Sequence, residues 1–194
     1  MNSSSPLSIE LLFTPELDAG LKPASKWNRE FRKLAEKEGA VPLRLALERA
    51  DGSVSRFDTI VFAEGSAHFD LNLRYAERLV KFLLWQRGGW KVYCGGPAAI
   101  GEYLKRTYAV GGEREFDAKF MGEIYEHPFT VEVTTADAVP EEKETTVSLG
   151  RHLDGCRVGF DLGASDRKAS AVLDGEVIYS EEVPWDPRLS LIHI

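Results

Sequence analysis

The chain has little of what a disulfide scaffold, a membrane protein or a general nucleic-acid binder carries. It holds two cysteines, Cys94 and Cys156, far apart and outside any CxxC pair. Neither a disulfide framework nor a zinc cluster is expected, and the reducing cytoplasm is the expected compartment. The four histidines, His68, His127, His152 and His193, are scattered without metal-ligand spacing. Positive charge is the minority: 24 Lys and Arg stand against 31 Asp and Glu, a net charge of −7, which argues against a nucleic-acid partner. No apolar run approaches the roughly 20 residues that a membrane span needs. The opening "MNSSSPLSIELLF" lacks a basic segment ahead of a long apolar stretch, so a signal peptide is not expected.

What is present suits a folded protein. A hydrophobic fraction of 43% supplies a core, and 194 residues suit one or two domains. Residues 1–8 are Ser-rich and read as a disordered start. "KWNREFRKLAEK" places Trp27, Phe31 and Leu34 at helical spacing, with Gly39 as a stop. "VPLRLALER" alternates, with Leu43, Leu45 and Leu47 on one face, which predicts a half-buried strand. Asp51-Gly52 is a hairpin turn, and "SRFDTIVFA" returns as a strand apolar on both faces near its end, which predicts a central position. "DLNLRYAERLVKFLLWQRGG" is the longest helix, with Leu71, Tyr75, Leu79, Phe82 and Leu83 as its apolar stripe. A short strand "WKVYC", two further helices and the strand "FTVEVTT" follow. The aromatics Trp85, Trp90, Tyr93, Tyr103, Tyr108, Phe116 and Phe120 read as core.

This pattern predicts an α/β or α+β domain over 9–135. Residues 136–155, "ADAVPEEKETTVSLGRHLDG", are polar and acidic and read as a linker with one short strand at Thr145–Leu149. Glu141, Glu142 and Glu144 read as a solvated run within it. A new sheet begins at Cys156 and runs to residue 187. The tail "RLSLIHI", 188–194, resumes no strand or turn pattern and reads as a non-native end.

The stretch "CRVGFDLGASDRKASAVLDGEVIYSEEVPW" reads as strand, glycine turn, strand, Asp-Gly turn, strand. Gly163 in the first turn lets another group approach the backbone, and successive N–H groups there can form an anion site. Ser165 adds a hydroxyl and Lys168 a positive charge. Asp161, at the end of the incoming strand, suits a hydrated Mg²⁺. On spacing alone, a structural hairpin accounts for the same residues.

The segment "FDLGASDRKASAVLDGEV" resembles the first phosphate motif of the actin/hexokinase/Hsp70 ATPase superfamily, and within it the ROK family of repressors and sugar kinases. The matching positions are Asp161, Leu162, Gly163, Ala164, Ser165, Lys168, Ala171, Val172, Asp174 and Gly175, within about residues 156–185. Ala164 stands where the family has a second glycine, and Ser165 where it has threonine. The resemblance implies the first hairpin and third strand of an actin-like, ribonuclease-H-like ATPase domain. It implies ATP and Mg²⁺ as cofactors in a full-length parent, which would move the γ-phosphoryl group to a sugar hydroxyl. Asp161 would orient the metal; Gly163, Ala164, Ser165 and Lys168 would hold phosphate. The family's catalytic aspartate and second phosphate loop follow this hairpin, so the fragment itself is expected to be inactive. The other expectation is a non-catalytic binding module carrying a structural hairpin.

"VYCGGPAAIGEYL" also joins a strand to a helix start through a Gly-Gly turn. It lacks GxGxxG and the Walker lysine, and reads as an ordinary connection. Cys94 beside it reads as a buried structural thiol.

Overall fold

The structure, a computed structural model, describes residue 7 and residues 9–144 and 154–186. The protein is mixed α/β with two sheets, divided into two compact units between Thr145 and Thr146.

The first unit runs through α1 (Ala24–Lys37), β1 (Ala40–Glu48), β2 (Val54–Phe62), α2 (Asp70–Arg87), β3 (Lys91–Gly95), α3 (Ala98–Thr107), α4 (Glu115–Tyr125) and β4 (Thr130–Thr134). The sheet order is β2-β1-β3-β4. β1 runs antiparallel to both β2 and β3, and β3 runs parallel to β4. The β1–β2 turn works through Gly52, at φ 74°, and through Asp51, whose carboxylate accepts the Ser53 N–H at 2.9 Å. A short hairpin loop that ends on a left-handed glycine matches the twist of the flanking strands.

Register then decides the core. Leu45 faces Phe57 and Cys94, and Leu47 faces Ser55 and Val92. These odd positions of β1 bury against Phe31 of α1, Tyr75 and Leu83 of α2, and Ile100 and Leu104 of α3. Phe31 is the centre: it stacks on Tyr75 at 4.1 Å between ring centroids and meets Phe62 edge-on at 5.2 Å. Each such buried side chain contributes about 1.5–3 kcal/mol of transfer free energy.

The other face of β1 is covered by a segment expected as linker. Val139 is buried against Ala46 and Val54, and Lys143 exchanges two backbone hydrogen bonds of 2.9 Å with Val54. Residues 136–144 therefore belong to the first unit. Two of the three glutamates expected as a solvated run have partners: Glu141 pairs with Arg56 at 2.6 Å, and Glu144 takes the Ser55 hydroxyl with Arg49 and Arg87 beside it, while Glu142 is exposed. The strand expected at Thr145–Leu149 lies outside the described residues, as do 1–6, 8 and 188–194. Leu7, expected in a disordered start, is buried.

Two further expectations are corrected. β2 is an edge strand, because its apolar end is covered by helices and by α2's Asn72 rather than by a second neighbouring strand. Phe82 (61% exposed), Trp85 and Phe116 lie on the surface, where Trp85 and Phe116 each stack on Phe120. Helical spacing identifies a stripe but not its width.

The second unit is an antiparallel meander of β5 (Cys156–Leu162), β6 (Asp166–Leu173) and β7 (Glu176–Pro184), in the order β5-β6-β7. Asp174 and Gly175 both take positive φ, 49° and 88°, as a two-residue hairpin turn of the primed type requires. A register shift lies between Ala171 and Val172. One face of the meander is apolar and open: Val158, Phe160 and Leu162 are all exposed. Among the described residues, no helix is long and apolar enough to cross a membrane.

Candidate phosphate-binding turn

The β5–β6 turn brings the sequence-expected residues together. Asp161 pairs with Lys168 across the ladder, so both side chains stand on one face beside the turn. That face also carries Ser170, Ser180 and Glu182, and together they line a shallow groove of about 380 Å³. The opposite face carries the apolar Val158, Phe160 and Leu162. The period of two along each strand thus separates a polar face from an apolar one.

Trp185 holds the turn at two points. The Trp185 indole N–H donates to the Gly163 carbonyl at 2.7 Å, and the Trp185 backbone N–H donates to the Ser165 carbonyl at 3.0 Å. Neither Gly163 nor Ala164 takes positive φ. Alanine therefore costs this turn no backbone strain, and the glycine is used for closeness. A Cβ on Gly163 would stand 3.0 Å from the Asp166 carbonyl oxygen.

Asp166 is the residue that sequence reasoning missed. Its carboxylate accepts the Ser165 hydroxyl at 3.0 Å and pairs with the Lys168 ammonium at 3.1 Å. Lys168 first and Ser165 second hold the Asp166 carboxyl below its ordinary range, and Asp166 in turn raises Lys168. The signal was in "SDRK": an aspartate two positions before a lysine shares its strand face. Ser165 and Lys168 thus meet a carboxylate already supplied by the chain. Asp161 differs. Its carboxylate makes no hydrogen bond or ion pair among the described residues.

The local charge balance has a chemical consequence. Lys168 is surrounded by Asp161, Asp166 and Glu182. A bare phosphate would meet three carboxylates and one ammonium. A phosphate that arrives with a divalent cation would instead give Asp161 a partner. One or two carboxylates plus phosphate oxygens is the donor set that Mg²⁺ takes, so the residues present fit that ion.

The other expected features stand apart from this turn. Cys94 is buried, and burial pushes its thiol up to about 12. His68 contacts Glu38, and His127 stacks on Trp90 at 4.6 Å. Among the described residues, no group of three His, Cys, Asp or Glu side chains is placed to hold a metal. No family model, no curated protein and no solved structure matches the chain.

Proposed function

We propose that residues 156–186 are the first phosphate-binding hairpin of a ROK-like sugar kinase, whose full-length form transfers the γ-phosphoryl group of ATP to a sugar hydroxyl. The observation that carries this reading is the cross-strand pair of Asp161 and Lys168, set beside a tightly latched turn, with no hydrogen bond or ion pair to the Asp161 carboxylate among the described residues. The exposed apolar face of the same sheet supports it, since such a face suits the layer of a larger ATPase domain. Asp161 would hold the Mg²⁺ that ATP brings; when bound, that ion neutralises the charge on the phosphates. The Gly163–Ser165 backbone would lie along the phosphates, and Lys168 would exchange Asp166 for a phosphate oxygen.

A second reading, a structural hairpin on a non-catalytic binding module, is favoured by Asp166 alone. That side chain satisfies Ser165 and Lys168 without a ligand.

The test is ATP-dependent phosphorylation of hexoses by the full-length protein of this reading frame. Asp161→Ala is expected to slow transfer about a hundredfold, the effect of losing one preorganised electrostatic group, with the melting temperature unchanged. Activity undiminished in Asp161→Ala, or no activity with any hexose, would overturn the kinase reading.

A further inference from the structure

A cavity of about 560 Å³ lies between α1, α2 and the β1–β2 hairpin. Its floor is apolar, built from Leu47, Phe57, Leu79 and Leu83. Its walls carry arginines from both helices, although the chain as a whole is acidic.

The arginines are not equivalent. Arg56 borders the cavity, but its guanidinium is taken up by Asp58 at 2.8 and 3.0 Å and by Glu141. Arg87 shares Glu144 with Arg49. Arg32 and Arg78 have no carboxylate partner among the described residues. Among the described residues Arg32 reaches the Tyr75 hydroxyl at 3.4 Å, and Arg78 lies 6.0 Å from the centre of the Trp27 ring. Both are half-buried. Two uncompensated guanidinium groups, one from each helix, therefore border one apolar-floored space.

That combination selects a ligand class. Guanidinium forks recognise carboxylates in a planar, bidentate manner. The apolar floor gains free energy only if a hydrophobic body displaces its water. A simple inorganic anion would leave the floor wet. A neutral hydrocarbon would leave both charges desolvated without a partner. Spaces of about 300–1,000 Å³ accommodate small organic molecules rather than folded partners.

We propose that this cavity binds a small organic carboxylate with an aliphatic or aromatic body, gripped by Arg32 and Arg78 over the Leu47–Phe57–Leu79–Leu83 floor. The site belongs to the first unit and does not depend on the kinase reading of the hairpin.

Titration calorimetry on the whole chain tests this with three probes: octanoate, octanamide and inorganic phosphate. Octanoate is expected to bind once per chain, with octanamide and phosphate each at least about tenfold weaker. Arg32→Gln and Arg78→Gln should each weaken octanoate about tenfold, the scale of one charge-assisted hydrogen-bonding partner. Arg78→Lys, which keeps the charge, should lose less than Arg78→Gln. If one arginine variant fails to fold, the other variant and the octanoate–octanamide comparison still decide the matter. The proposal is overturned if octanoate does not bind, if octanamide or phosphate binds as tightly, or if neither glutamine variant changes the affinity.

Discussion

Replacing Asn72 by alanine should uncouple α2 from the end of β2. Asn72 is fully buried, and its amide makes a two-way bond to one residue. Its Nδ2 donates to the Phe62 carbonyl at 2.9 Å, and its Oδ1 accepts the Phe62 N–H at 3.0 Å. Phe62 is itself 1% exposed, so water does not replace either bond. Leaving a buried polar group unsatisfied costs about 1–3 kcal/mol. Two such groups cost about 2–6 kcal/mol, and the better helix propensity of alanine returns about 0.6 kcal/mol. We expect a net loss of about 3 kcal/mol, a large part of the roughly 5–15 kcal/mol of a typical domain. The assay is urea unfolding followed by far-ultraviolet circular dichroism. All α-helices among the described residues lie in the first unit, so the helical signal reports on that unit. A loss below about 1 kcal/mol with an unchanged denaturant slope would refute the reasoning. Asn72→Asp adds a sign test. Its carboxylate keeps the acceptor but turns a second oxygen on the Phe62 carbonyl, so burial and repulsion raise its folded-state pKa above the ordinary value of about 3.9. Such a variant is destabilised at neutral pH and recovers as pH falls through the raised value. A stability difference from the parent that stays constant with pH would contradict this account.

Gly95→Ala should destabilise the first unit by about 1–3 kcal/mol in a thermal melt, because the new Cβ would collide with the Val139 side chain and stand 2.7 Å from the Thr135 carbonyl. Adding Val139→Ala should restore only part of that loss. The Ser55 hydroxyl, and after it Arg49 and Arg87, hold the Glu144 carboxyl below its usual range. Its stabilising effect is therefore present above the ordinary glutamate value of about 4.3 and fades as pH falls below that value. Glu144→Gln should remove this part of the acid dependence, and an unaltered pH profile of stability would count against it. Cys94, 1% exposed, should resist a thiol reagent at about pH 8 while exposed Cys156 reacts. Thiol titration should accordingly find one reactive group in the native chain and two after denaturation.

Local structure in this chain was determined by its sequence wherever the cause is local. Trp27 and Phe31 share a helical face, and Gly39 at φ 87° ends α1, because spacing and backbone freedom act within one or two turns. The Leu43–Leu45–Leu47 alternation and the turns at Gly52 and Asp174-Gly175 are of the same kind. Most of the candidate site was legible in that way too. Once the turn length is set, register alone puts Asp161 opposite Lys168. Tertiary structure decided the rest. β2 lies at the edge and residues 136–144 pack beneath β1, since strand order depends on pairings between segments far apart in the chain. Arg32 and Arg78 border one cavity only because α1 and α2 pack on the same face of the sheet. The spacing of "SDRK" puts Asp166 on the face of Lys168, but that its carboxylate also takes the Ser165 hydroxyl was decided in three dimensions, by the bend of the turn.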